Sequence, residues 1–182
     1  SMRGSERRLW TYAKAIINNT ARHAQIAALV RPATPTVIVV NRIDHGTQLE
    51  SAIPGAVFLD GADSEMRRLA ALEAFRERKL FVVIVTKIRD RGTNRLGTAE
   101  DVIFASGEGS ARQTLQRLGR GLRRANGKAV LRLVDVIDSA QIDGNARLTW
   151  AAAYLHGAGR KRVALYADEG FAIEITAPEG GP

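Results

Sequence analysis

The residues best suited to chemistry lie in "ARQTLQRLGRGLRR", Ala111 to Arg124. On a helix turning about 100° per residue, Leu115, Leu118 and Leu122 fall within roughly 60° of one another, with Ala111 among them, so this side faces a core. Gln113, Gln116, Arg117, Arg120, Arg123 and Arg124 occupy the remaining arc. Like charges three and four residues apart each cost a few tenths of a kcal/mol, and Gly119 and Gly121 each lose about 1 kcal/mol relative to Ala. Stability alone does not select such a helix. A polyphosphate does: arginine forks bind its oxygens, and a glycine lets a neighbouring backbone come close. The competing reading is a solvated basic face whose glycines sit near a frayed helix end.

Elements able to position this face follow from the apolar pattern. A helix is expected from about Glu6 to Val30, with Leu9, Tyr12, Ile16, Ile17, Ile26, Leu29 and Val30 at helical spacing before "RPATP" stops it. "TVIVVN" (Thr36 to Asn41) is a β-branched run, apolar on both faces, and predicts a buried strand. A polar segment from Asp44 leads to a short helix ending near Pro54, and "AVFLD" (Ala56 to Asp60) is the next strand. Asp63 or Ser64 then caps a helix through Arg78, with Met66, Leu69, Leu72 and Phe75 three residues apart on its inner face. "FVVIVT", "DVIFA" (Asp101 to Ala105) and "KAVLRLVDVI" (Lys128 to Ile137) supply three more strands. A last helix runs from Arg147 to Tyr166, with Leu148, Ala151, Ala152 and Leu155 on one side. Five strands alternating with helices predict an α/β domain with a mostly parallel sheet covered on both faces, and ligands then belong at the strands' carboxyl ends.

Composition narrows the partners. The chain has 182 residues, 45% hydrophobic and 25% charged, enough for one compact core. A net charge of +8 favours a polyanion, nucleic acid ahead of an anionic membrane, because Lys and Arg release counterions when they neutralise phosphates. Without cysteine, and with only His23, His45 and His156 scattered along the chain, neither disulfides nor a metal site is expected. No apolar run is long enough to span a membrane and no signal peptide opens the chain, so no membrane partner is expected and a cytoplasmic setting, in a bacterium or a phage-infected cell, fits. The opening Ser1-Met2 resembles the remnant of a trimmed tag, and the chain reads as a helical lead-in over 1–31, an α/β domain over 32–145, and a terminal helix and tail over 146–182.

"QRLGRGLR" (Gln116 to Arg123) resembles motif VI of superfamily-2 helicases: Gln or His, Arg, an apolar residue, Gly, Arg, two residues and Arg. The resemblance implies that Arg120 and Arg123 reach the γ-phosphate of ATP held by a preceding domain, while Gln116 and Arg117 couple nucleotide to the domain interface. Such fixed charge sits where the transition state accumulates negative charge. "TVIVVNRIDHGTQLE" resembles the motif IV strand and its loop, implying nucleic-acid contacts for Arg42 and His45; His45 as a loop residue capping the next helix is the competing reading. "DGADSEMRRLAALEAF" resembles the family segment in which Gly61 approaches a phosphate backbone and Arg68, Leu72 and Phe75 follow on the helix, although Arg68 could equally pair with Glu65 or Glu73 on the surface.

"FVVIVTKIRDRGTNRLG" resembles motif V, with Thr86, Arg91, Gly92 and Asn94 at its marked positions. Thr86 is thereby implied to bond a nucleic-acid phosphate, Lys87 and Arg89 to add to it, and Gly92 and Asn94 to lie beside the nucleotide. Asn94 departs from the family's acidic residue, keeping the hydrogen bonding without the charge. "YLHGAGRKRVALYADEGFAI" resembles the ending of the XPB and phage UvsW branch, which favours DNA over RNA.

Taken together, the resemblance implies a RecA-like three-layer sandwich, the second motor domain of an ATP-dependent helicase or translocase. Its partners would be nucleic acid and an N-terminal RecA-like domain of the same polypeptide. ATP and Mg²⁺ would be held mainly by that preceding domain, because this chain has no Walker A sequence: Gly127-Lys128 is followed by Ala129 and lacks the upstream Gly. Alone, it is expected not to hydrolyse ATP. The alternatives are a stand-alone basic nucleic-acid-binding module with the same fold and a nicotinamide or methyl-donor enzyme; the latter should carry G-x-G-x-x-G where "NRIDHG" stands.

Overall fold

Thr36–Val39 (β1) and Val82–Val85 (β3) consist wholly of β-branched residues, stiff side chains that favour extended backbone, and all eight positions are buried. In the computed structural model, which describes residues 4–86, 96–107, 131–138, 146–168, 170 and 172–176, these strands form the middle of a sheet. Ala56–Leu59 (β2), Asp101–Phe104 (β4) and Arg132–Asp135 (β5) complete it in the order β2-β3-β1-β4-β5, every neighbouring pair parallel.

Alternate side chains of each strand enter opposite layers. Val37, Val39, Val83, Val85, Val102 and Phe104 pack with Leu72 and Phe75 of the helix Glu65–Arg76 (α4). Ile38, Val40, Ile84 and Ile103 pack on the other face with Ile26 of Thr20–Leu29 (α2) and Leu49 of Ile43–Ala52 (α3). The result is the three-layer α/β sandwich that the strand and helix alternation predicts. Because Ile26 is fully buried against the sheet, α2 is a layer of this core.

The single N-terminal helix expected over Glu6 to Val30 is broken. Gly4–Tyr12 (α1) passes into a π-helical turn, Ala13–Ile17, closed by Asn18 N–H donating to the Ala13 carbonyl at 2.9 Å. Asn19 then ends one helix and starts the next: its Nδ2 donates to the Ala15 carbonyl and its Oδ1 accepts from Arg22 N–H. Short amide side chains compete with the backbone in this way, which is why paired asparagines punctuate a helix. The inner face expected of α4 is also corrected. A spacing of three falls about 60° short of a full turn at each step, so Met66 and Phe75 end on opposite sides. Phe75 and Leu72 are buried, whereas Met66 is 83% and Leu69 39% exposed.

The terminal helix, Ala146–Asp168 (α5), packs against the N-terminal segment, with Leu155 joining Tyr12, Ile16 and Ile17 in a satellite cluster. No described helix is long and apolar enough to cross a membrane.

Candidate nucleic-acid and nucleotide site

In a parallel sheet all carboxyl ends open on one edge, and the strand order decides which loops meet there. Gly61 follows β2, Thr86 follows β3, and Arg42 follows β1. Since β2, β3 and β1 are consecutive neighbours, these three expected contact residues stand side by side at spacings of about 5 Å per strand. Thr86 is half-buried, Gly61 and Arg42 exposed. Among the described residues Arg42 makes one loose ion pair, with Asp44 at 3.6 Å and both side chains about half exposed, so its guanidinium can exchange that partner for a phosphate.

The Gly61 loop is held from below. Asp60 N–H donates to Asp63 Oδ2 at 2.7 Å, Ala62 N–H donates to Asp60 Oδ1 at 2.6 Å, and Arg67 pairs with the other oxygen of Asp63. Arg68 donates to the carbonyls of Asp60 and Asp63 at 2.9 and 3.2 Å. Arg68 is therefore a clamp on the loop that carries Gly61, and its recorded partners are these carbonyls, where pairing with Glu65 or Glu73 was the alternative. The acidic side chains beside Gly61 are engaged by these donors, which tempers their repulsion of a phosphate.

His45 is placed differently from its expectation as a nucleic-acid contact. It lies inside the first turn of α3, fully buried, its ring stacked on His23 with centroids 5.7 Å apart. Burial lowers its pKa to about 3, and the charges of Arg22 and His23 push in the same direction. His23 is also lowered, chiefly by burial. Both rings are neutral near pH 7, and a buried neutral ring such as His45 does not reach a solvent-side phosphate.

Lys87, Arg89, Gly92, Asn94, Gln116, Arg117, Arg120 and Arg123, the remaining expected site residues, lie outside the described residues, as do Arg91 and the Gly127-Lys128 pair. Their flanks are described. Gly107 follows β4, and residues of α2, β5 and α5 converge beside it. Arg162 of α5 donates to the Gly107 carbonyl at 3.0 Å and to Asp135 Oδ2 at 2.7 Å, and Tyr166 O–H donates to the same carboxylate oxygen at 2.6 Å. Burial, reinforced by the Asp135 charge, pushes the Tyr166 hydroxyl above its ordinary pKa. Arg22 of α2 forks onto Asp138 at 2.6 and 3.1 Å. Gly107 has φ +68°, and a Cβ there would lie 2.6 Å from Ile16 Cδ1 and 3.1 Å from Asp138, so only glycine fits without rearrangement.

Reading along the chain missed this network because Arg22 and Asp138 are 116 residues apart. A signal was present: Asp135 interrupts an apolar strand run, and a carboxylate there needs a cation. At the sheet's other end Asp101, fully buried, is satisfied by Arg31 at 2.6 and 2.9 Å and by Arg132 at 3.0 Å. No described group of three or more His, Asp or Glu residues is placed to hold a metal ion.

An all-parallel five-stranded sheet, helices on both faces and polar loops gathered at its carboxyl edge define a RecA-like domain. The sequence family described as the helicase conserved C-terminal domain matches residues 21–125, more than half the chain. The chain belongs to that family. It is 33% identical over 115 residues to the putative DNA 3'-5' helicase Rad25 of Haloarcula marismortui and 33% identical over 108 residues to the protein of that name from Halobacterium salinarum. Those alignments cover 62% and 58% of this chain but 18% of each relative, so the chain spans under a fifth of their length. Among solved structures it resembles T4 UvsW, with TM-score 0.65 and 22% identity over 94% of this chain and 36% of that one. It also resembles the C-terminal domain of the DEAD-box protein Dbp5, with TM-score 0.56 and 16% identity over 85% and 82% of the two chains. The likeness to the XPB and UvsW branch expected from the tail agrees with these similarities.

Proposed function

We propose that this chain is the second motor domain of an ATP-dependent DNA helicase or translocase, contributing arginine fingers and strand contacts to an active site shared with a preceding RecA-like domain. The observation carrying the proposal is the family match over residues 21–125, because that span contains both the Gln116 to Arg123 arginine pattern and the Arg42, Gly61 and Thr86 edge. DNA is favoured because the relatives' names specify it.

The donor set suits one side of a polyphosphate: the Arg120 and Arg123 forks, the Gln116, Arg117 and Asn94 hydrogen bonds, and close backbone at Gly92. The sequence carries no Walker A pattern, so both ATP and the metal are assigned mainly to the preceding domain. Bound ATP supplies a phosphoryl group on which negative charge accumulates during transfer. Arg120 and Arg123 present fixed positive charge to it across the interdomain cleft, and that attraction favours the closed arrangement. Thr86 offers its hydroxyl to one phosphate of the strand, Lys87, Arg89 and Arg42 their charge to neighbouring ones, and Gly61 its backbone. Alternation of closed and open cleft makes these groups grip and release the strand in turn.

The test is DNA-stimulated ATP turnover by the full natural polypeptide at saturating ATP. Arg120→Ala is expected to lower kcat by ~10³ or more with nucleotide affinity nearly kept, as for a group acting in the transition state. Unchanged turnover returns the arginine helix to a solvated face and leaves a basic nucleic-acid-binding module.

A further inference from the structure

One face of α1 and the segment just after β1 border an open cleft of about 490 Å³, lined by Ser5, Arg8, Leu9, Tyr12, Asn41 and Arg42. The four α1 residues lie at positions i, i+3, i+4 and i+7, one helical stripe, so a single placement of the helix builds the whole wall. The lining combines two chemistries. Leu9 is 57% exposed and leaves apolar surface in the cleft, with the nearly buried Tyr12 behind it. Arg8 has no acidic partner among the described residues, and Arg42 holds only its loose pair with Asp44. An apolar wall flanked by two arginines and an amide matches a ligand with an anionic group and an apolar part. The size is that of a small-molecule site.

The position supplies the source. Val40 N–H donates to the Val85 carbonyl at 2.9 Å, which sets Asn41 and Arg42 beside Thr86 on the adjoining strand. A nucleic-acid strand whose phosphate bonded Thr86 would have this cleft beside it. We propose that the cleft takes one nucleotide of a single nucleic-acid strand, its base against Leu9 and its phosphate on Arg8 and Arg42. The assignment rests on the nucleic-acid reading above and adds to it a base-contacting subsite built by α1. Base contact of this kind is sequence-tolerant, since every base has an apolar face.

The experiment uses the full natural polypeptide and fluorescent oligothymidylate, titrated at several salt concentrations. Arg8→Ala is expected to weaken binding about tenfold, the loss of one charge-assisted hydrogen bond, and to lower the salt slope by about 0.7, one phosphate contact on a single strand; Lys14→Ala, which removes an exposed cation outside the cleft, should do neither. Scanning one abasic position along the oligonucleotide should find a site that weakens wild type several-fold and leaves Leu9→Ser indifferent. If Arg42→Ala and Thr86→Val weaken binding while Arg8→Ala and Leu9→Ser match wild type, the cleft is not a nucleotide subsite, though the strand edge stands. If all four bind as wild type, the nucleic-acid reading itself falls. If thymidine monophosphate binds with Arg8 dependence while oligothymidylate does not compete for the site, the cleft takes a free nucleotide and the strand proposal is overturned.

Discussion

The His23 and His45 rings are stacked on each other and buried, and their burial has a measurable consequence. His45 titrates at 6.5 when unfolded and at about 3 when folded, so between those values the unfolded chain binds the extra proton. Its contribution to stability is complete above pH 6.5 and declines as pH falls toward 3, at no more than about 1.4 kcal/mol per pH unit. His23 is lowered too and adds in the same direction. Urea midpoints measured between pH 7.5 and 5 should therefore fall, and His45→Leu should flatten the decline. An equal slope in that variant would mean His45 is not the group responsible. Arg22 and Arg162 belong to the same scale: each nearly buried guanidinium faces a carboxylate, Asp138 or Asp135, and losing one partner would strand the other's charge.

At the level of elements, two helical glycines with the same intrinsic propensity have opposite surroundings. Gly46 of α3 lies against the buried Phe58 of β2, and an added Cβ would come 2.2 Å from the ring. Gly157 of α5 has nothing among the described residues within 4 Å of that position. Replacing a helical Gly by Ala gains about 1 kcal/mol of propensity, whereas overpacking a core costs about 1–3 kcal/mol. Gly157→Ala should thus raise the thermal midpoint and Gly46→Ala lower it, which calorimetry on the two variants would decide; the same sign for both would remove the α3 to β2 contact from the explanation.

For the whole molecule, the +8 charge and the absence of a Walker A sequence point to separable properties. The isolated chain should bind single-stranded DNA in a strongly salt-dependent way and release no phosphate from ATP. Sustained DNA-stimulated release by pure chain, abolished by Arg120→Ala, would place a complete active site within these residues and retire the two-domain proposal. Coverage of 18% of the Rad25 relatives leaves ample length in those proteins for a nucleotide-holding domain.

Local chemistry was readable along the chain. β-Branched runs mark the buried strands, Ser64 marks the start of α4, and the spacing of Gln, Gly and Arg resembles a motif of the family whose model matches residues 21–125, because each signal is complete within a few residues. The same locality explains the misplaced helix face of α4, where a spacing of three was followed past the point at which it leaves the core. Only the tertiary structure decided that β2, β3 and β1 are neighbours, and hence that Gly61, Thr86 and Arg42 share one edge. It alone buried His45 against His23 and joined Arg162 to Asp135 and Gly107. These pairings depend on how crossover connections stack distant segments, and the energy of a buried charge is set by whatever that stacking brings within reach of it.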